Sequence, residues 1–92
     1  MKHAGADALD ALEPLVAAIR EWPGLKEKQR GVFYRKGRAF LHFHEDPAGL
    51  FCDVRLESAA DFTRYRVSTA PECKALLTAA KAALDADGPA RR

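Results

Sequence analysis

Gly31-Val32-Phe33-Tyr34-Arg35-Lys36-Gly37-Arg38-Ala39-Phe40-Leu41-His42-Phe43-His44-Glu45-Asp46-Pro47-Ala48-Gly49-Leu50-Phe51-Cys52-Asp53-Val54-Arg55-Leu56 is the stretch that decides the fold. Its β-branched and aromatic residues fall into three runs of strand length, separated by turn chemistry. Lys36-Gly37 suits a two-residue hairpin loop, because glycine supplies the positive φ such a turn demands. Asp46-Pro47-Ala48-Gly49 is a stronger turn, with Asp first, Pro second and Gly fourth. The stretch therefore reads as strands over 31–35, 38–44 and 50–56. A last strand is expected over 62–67, and a short extra one is possible near 25–29.

Helical patterns flank the meander. Upstream, Leu9, Leu12, Leu15, Val16 and Ile19 form one apolar stripe at helical spacing. Asp10 as N-cap with Glu13 closing a capping box would put Pro14 in the first turn, where proline is tolerated. That helix should run to about Glu21 and stop at Trp22-Pro23-Gly24. Downstream, Thr69-Ala70-Pro71-Glu72 is a second capping box, followed by the stripe Cys73, Leu76, Leu77, Ala80 and Leu84. Gly88-Pro89 should end this helix, and 90–92 should fray. The expectation is an α+β fold, an antiparallel β-meander of about four strands packed on an N-terminal and a C-terminal helix.

Ninety-two residues make one domain, with a core over about 7–86. A chain of this size buries roughly 60–65% of its unfolded surface, so it needs no staples. The hydrophobic content of 48% beside 30% charged residues is globular, and a formal charge of +2 is too small to announce a nucleic-acid binder. The first seven residues lack the apolar core of a signal peptide, and the run from Leu15 to Ile19 is too short to span a membrane. Cys52 and Cys73 have no CxxC spacing and read as reduced, packed thiols, which points to a cytoplasmic protein.

Side chains alternate along a strand, so the turns assign faces. A core face of Val32, Tyr34, Ala39, Leu41, Phe43, Cys52, Val54 and Leu56 follows, covered by the helices. The other face carries Phe33, Arg35, Arg38, Phe40, His42, His44, Phe51, Asp53, Arg55 and Glu57, joined by Arg64 and Arg66 if Tyr65 and Val67 point inward. A bulged first hairpin would shift the first strand by one residue; the Asp46–Gly49 pairing would survive that change.

Arginine forks match phosphate or carboxylate, and exposed rings stack on flat ligands. Arg35, Arg38, Arg55, Arg64 and Arg66, with Phe33, Phe40 and Phe51, are thus the candidate platform for nucleic acid or another anion. Paired against cross-strand acids, the same residues would be a solvated outer face. The sharper local feature is His42-Phe43-His44, two imidazoles pointing the same way with Asp53 across from His42. Two imidazoles and a carboxylate make a first shell for a divalent metal such as zinc, manganese or iron. No nucleophile or oxyanion partner accompanies them, so a non-catalytic binding module is expected, with no obligatory cofactor. Use of the sheet for self-association would make it a weak homodimer, otherwise a monomer.

Trp22-Pro23-Gly24-Leu25, followed by Val32 to Phe40, resembles the MmcQ/YjbR family. That resemblance implies a CyaY-like helix–meander–helix fold, with DNA binding suggested for some members. Gly37-Arg38, His42-Phe43-His44, Gly49-Leu50 and Asp53 are similar to the centre of bacterial luciferase-domain proteins, which implies no light-emitting chemistry.

Overall fold

The computed structural model describes residues 1–57 and 59–86. The elements in order are β1 (Lys2–His3), α1 (Ala6–Ala11), α2 (Glu13–Arg20), β2 (Lys26–Gln29), β3 (Val32–Arg35), β4 (Arg38–Asp46), β5 (Gly49–Val54), β6 (Thr63–Arg66) and α3 (Ala70–Ala86). Strands β2 to β6 form an antiparallel meander in chain order, and β1 adds to β4 beyond the end of β3. The α+β meander between helices is as the sequence indicates. The sheet has six strands instead of about four, because Lys26–Gln29 pairs with β3, with an irregularity between Glu27 and Gln29, and the first residues pair with β4. The expected fraying of residues 90–92 and the stop at Gly88-Pro89 lie outside the described residues.

Both turns form for the reasons given. Lys36 and Gly37 have φ of 51° and 81°, the double positive φ of a type I′ turn, and Arg35 pairs with Arg38 across it. Asp46 pairs with Gly49, which sets Phe43 opposite Cys52, Leu41 opposite Val54 and His42 opposite Asp53. On β6, Tyr65 lies opposite Cys52 and Arg64 opposite Asp53, so Arg64 and Arg66 share the face away from the core.

The first hairpin departs from simple alternation. Tyr34 pairs with Ala39, but Phe33 pairs with Leu41, and Phe40 is the extra residue of a β-bulge. The bulged hairpin corrects the facing expected for Phe33, Phe40 and Val32. Phe33 and Phe40 are 1% and 4% exposed and belong to the core, not to an open platform, while Val32 stands beside His42 on the opposite face. The exchange favours burial: Phe33 displaces a smaller Val from the helix-covered side.

The N-terminal helix also differs in its start. Asp10 lies inside α1, and Leu12, at φ −91° and ψ 0°, joins α1 to α2 with no side-chain cap. Pro14 does sit in the first turn of α2. Asp10 and Glu13, expected as cap residues, instead accept from Arg30, Nη1 to Oδ1 and Nη2 to Oε1, both at 2.9 Å. This ties the helices to the β2–β3 turn. There Gly31 has φ 78°, and any Cβ would meet Leu9 Cδ2 at 2.8 Å. The second capping box forms as read: Thr69 Oγ1 accepts from Glu72 N at 3.3 Å, and Glu72 Oε1 accepts from Thr69 N at 3.0 Å.

The core is one cluster between the sheet and the helices. Leu12, Leu15, Val16 and Ile19 enter from the N-terminal side and Leu76, Ala80 and Leu84 from α3. Phe33, Phe40, Leu41, Phe43, Cys52, Val54 and Val67 meet them. Both cysteines are free, and burial raises the Cys52 thiol well above its ordinary pKa, keeping it protonated. Among the described residues no helix is long and apolar enough to cross a membrane.

Candidate metal centre

On β4 the period-2 pleat aims His42 and His44 to the side away from the helices. Strand β1 supplies a third imidazole there, because His3 is the register partner of His44. All three histidines of the chain therefore meet in one place. Ring centroids lie 4.7 Å apart for His42–His44, 4.8 Å for His3–His44 and 5.4 Å for His3–His42. One ligand atom from each falls within 4.8 Å of the other two. Short strand pairing holds β1 in position. Ala4 N donates to Phe43 O at 3.1 Å, Gly5 N donates to Glu45 Oε2 at 2.6 Å, and the terminal ammonium is 3.7 Å from Asp46.

The cluster has a floor and a wall. Asp53, opposite His42 on β5, is 6% exposed, and its oxygens are taken by Arg64, Nε to Oδ1 at 2.7 Å and Nη2 to Oδ2 at 2.8 Å. His44 Nε2 is 3.2 Å from Asp53 Oδ2 without forming an aligned hydrogen bond. Phe62 stands edge-on to His42 at 4.7 Å, and the Arg55 guanidinium lies over the Phe62 ring at 4.4 Å. Shielded in this way, His42 Nδ1 and both ring nitrogens of His44 are buried, with no hydrogen-bond partner among the described residues. Buried polar atoms are normally bonded, so three orphans in one spot call for a partner.

Electrostatics favour a neutral His42 ring. Burial lowers the pKa of His42 first, and His44, His3 and Arg64 lower it further, while Asp53 opposes them. Arg64 holds the Asp53 carboxyl below its ordinary range, so this acid stays ionised. A neutral imidazole with an open lone pair is the form that ligates metal.

The residues expected as an anion platform separate into three groups. Phe33 and Phe40 are in the core. Arg64, Arg66 and Phe51 are on the histidine side, with Arg64 on Asp53 and Arg66 bonded to Glu72 and to Ala48 O. Arg35 and Arg38 lie at the other end of the sheet, around a cavity that Ala83 and Ala86 of α3 also line. Arg55 sits between, donating to Ala39 O at 3.0 Å and Ala60 O at 2.6 Å. Of the expected metal set, His42 and His44 come together, Asp53 stands behind them engaged with Arg64, and His3 joins them. Lys2-His3 is too short to show a strand period, so alternation alone could not find it. The usable signal was the scarcity of histidine: a chain with only three has few ways to complete an HxH pair.

No protein-family model, no curated protein and no solved structure matches this chain.

Proposed function

We propose that this chain is a divalent-metal-binding module whose ligands are His3, His42 and His44, with zinc the best-suited ion. The observation that carries the reading is the convergence of one ligand atom from each of three imidazoles within 4.8 Å, with buried ring nitrogens of His42 and His44 that have no hydrogen-bond partner among the described residues. Three neutral nitrogen donors leave one position of a tetrahedral ion for a water or an exogenous ligand, a donor set that suits zinc or cobalt(II). Asp53 and Arg64 support the cluster from behind. Asp53 Oδ2 lies 3.2 Å from His44 Nε2, where an outer carboxylate can help to orient a metal-bound histidine.

The deciding experiment uses untagged protein stripped with a chelator and titrated with cobalt(II) and zinc. A 1:1 complex with the visible absorption of tetrahedral cobalt, displaced by zinc, is expected. His3→Ala and His42→Ala should each weaken binding by at least about tenfold, on the scale seen when metal-site groups are removed. Equal binding by the wild type and both variants, or no binding at micromolar metal, would rule the reading out.

A further inference from the structure

An ion held by the three histidines keeps its own positive charge. Ligating imidazoles are neutral, and among the described residues no carboxylate joins their cluster. Asp53, 3.2 Å from His44 Nε2, has both oxygens on Arg64, so its charge is matched there. Glu45, next to His44 on β4, is taken up by Gly5 N. The metal is then the largest local charge, and its open position selects an anion over a neutral donor.

A cavity of about 340 Å³ shares His3 with this cluster. It opens where β1 and β3 meet end to end along one edge of β4. There Val32 pairs with His42 and His3 with His44, so Phe43 lies between the two pairings. Phe43 and Val32 line the cavity together with Ala4 and Leu9, an apolar set around a short gap. The volume is at the lower end of small-ligand pockets, which run from about 300 to 1,000 Å³. Arg30 is the one permanent charge among the lining residues, and it already holds Asp10 and Glu13, each at 2.9 Å. The gap therefore suits a hydrocarbon body and offers a second negative charge no unmatched cation.

On the premise that the three histidines hold the ion, we infer that its fourth position takes a short aliphatic monocarboxylate. One carboxylate oxygen binds the metal, and the hydrocarbon chain lies in the gap between β1 and β3. The test uses the full chain loaded with cobalt(II), whose visible bands report its fourth ligand, titrated with acetate, butyrate, succinate and butanol. Butyrate should shift the bands saturably and bind about tenfold more tightly than acetate, because two further methylenes are buried. Succinate, four carbons with a second carboxylate, should bind at least about tenfold more weakly than butyrate. Butanol should leave the bands unchanged. Val32→Phe, which fills the gap and changes no metal ligand, should bind cobalt as the wild type does and butyrate no better than acetate. Failure to bind cobalt overturns the metal reading and this assignment together. Bound cobalt whose bands ignore butyrate overturns the assignment alone. So does acetate, succinate or butanol binding as tightly as butyrate, or an undiminished butyrate preference in folded Val32→Phe. Should that variant not fold, the wild-type ligand series decides by itself.

Discussion

Arg64 and Asp53 face each other across β5 and β6 and form a two-pronged pair, with donor–acceptor distances of 2.7 and 2.8 Å. The pair places one ionised carboxylate directly beneath the histidines while neutralising most of its charge. A lone anion there would hold protons on the imidazoles; a lone cation would repel a metal. Paired, the two groups act as a polar floor that keeps the rings oriented.

Asp53→Ala should therefore destabilise the fold by about 1–3 kcal/mol, the cost of removing a nearly buried hydrogen-bonding group. Urea midpoints for wild type and variant measure it. The sign of the pH effect follows from Arg64, which lowers the carboxyl of Asp53 below its ordinary 3.8. That contribution is complete above pH 3.8 and fades as pH falls through the lowered value. Arg64→Gln should remove this acid-side dependence, and identical acid transitions in both proteins would refute the role given to the pair.

His42 gives a second dependence in a different window. Burial and its neighbours lower its pKa from the ordinary 6.5, so the unfolded chain takes up a proton before the folded one does. With metal removed, stability should be highest above pH 6.5 and decline as pH falls from there through the folded pKa. His42→Gln should flatten that decline. Thermal melts at several pH values in the presence of chelator decide the matter; a variant that keeps the wild-type slope contradicts it.

Phe33 and Phe51 separate the two faces energetically. Phe33 is 1% exposed and packs with Leu41, whereas Phe51 is half-buried on the histidine side. Phe33→Ala should cost about 3–5 kcal/mol, the range for deleting a buried ring. Phe51→Ala should cost about 1 kcal/mol, near the centre of ordinary substitutions. Similar losses in the two variants would contradict the bulged register.

These contrasts show which parts of the molecule the sequence exposes. The Asp46–Gly49 turn sets the β4–β5 register by local chemistry alone, so His42 opposite Asp53 was readable from residue types. The Thr69–Glu72 box was readable for the same reason. Phe40 was not, because a bulge is decided by which ring fits under α3, a tertiary preference that alternation cannot express. Asp10 and Glu13 fit a capping box equally well on paper. Arg30, twenty residues from Asp10, competes for them in three dimensions. His3 falls in a two-residue strand whose pairing comes entirely from β4, so nothing local announces it.

The placement of His3 yields the last prediction. Strand β1 is two residues long and held by few backbone bonds, among them Ala4 N to Phe43 O, so on its own it should open readily. If His3 ligates the same ion as His42 and His44, opening β1 must break a metal bond, and zinc should close it. At zinc about a hundredfold above its dissociation constant, with the open form binding about tenfold more weakly through His42 and His44, linkage predicts about 1.3 kcal/mol, or about tenfold slower exchange of the Ala4 amide. His3→Ala should abolish this slowing while leaving the exchange of core amides such as Leu41 unchanged. Slowing that persists in His3→Ala would mean that zinc acts on β4 alone, and that the third ligand comes from elsewhere.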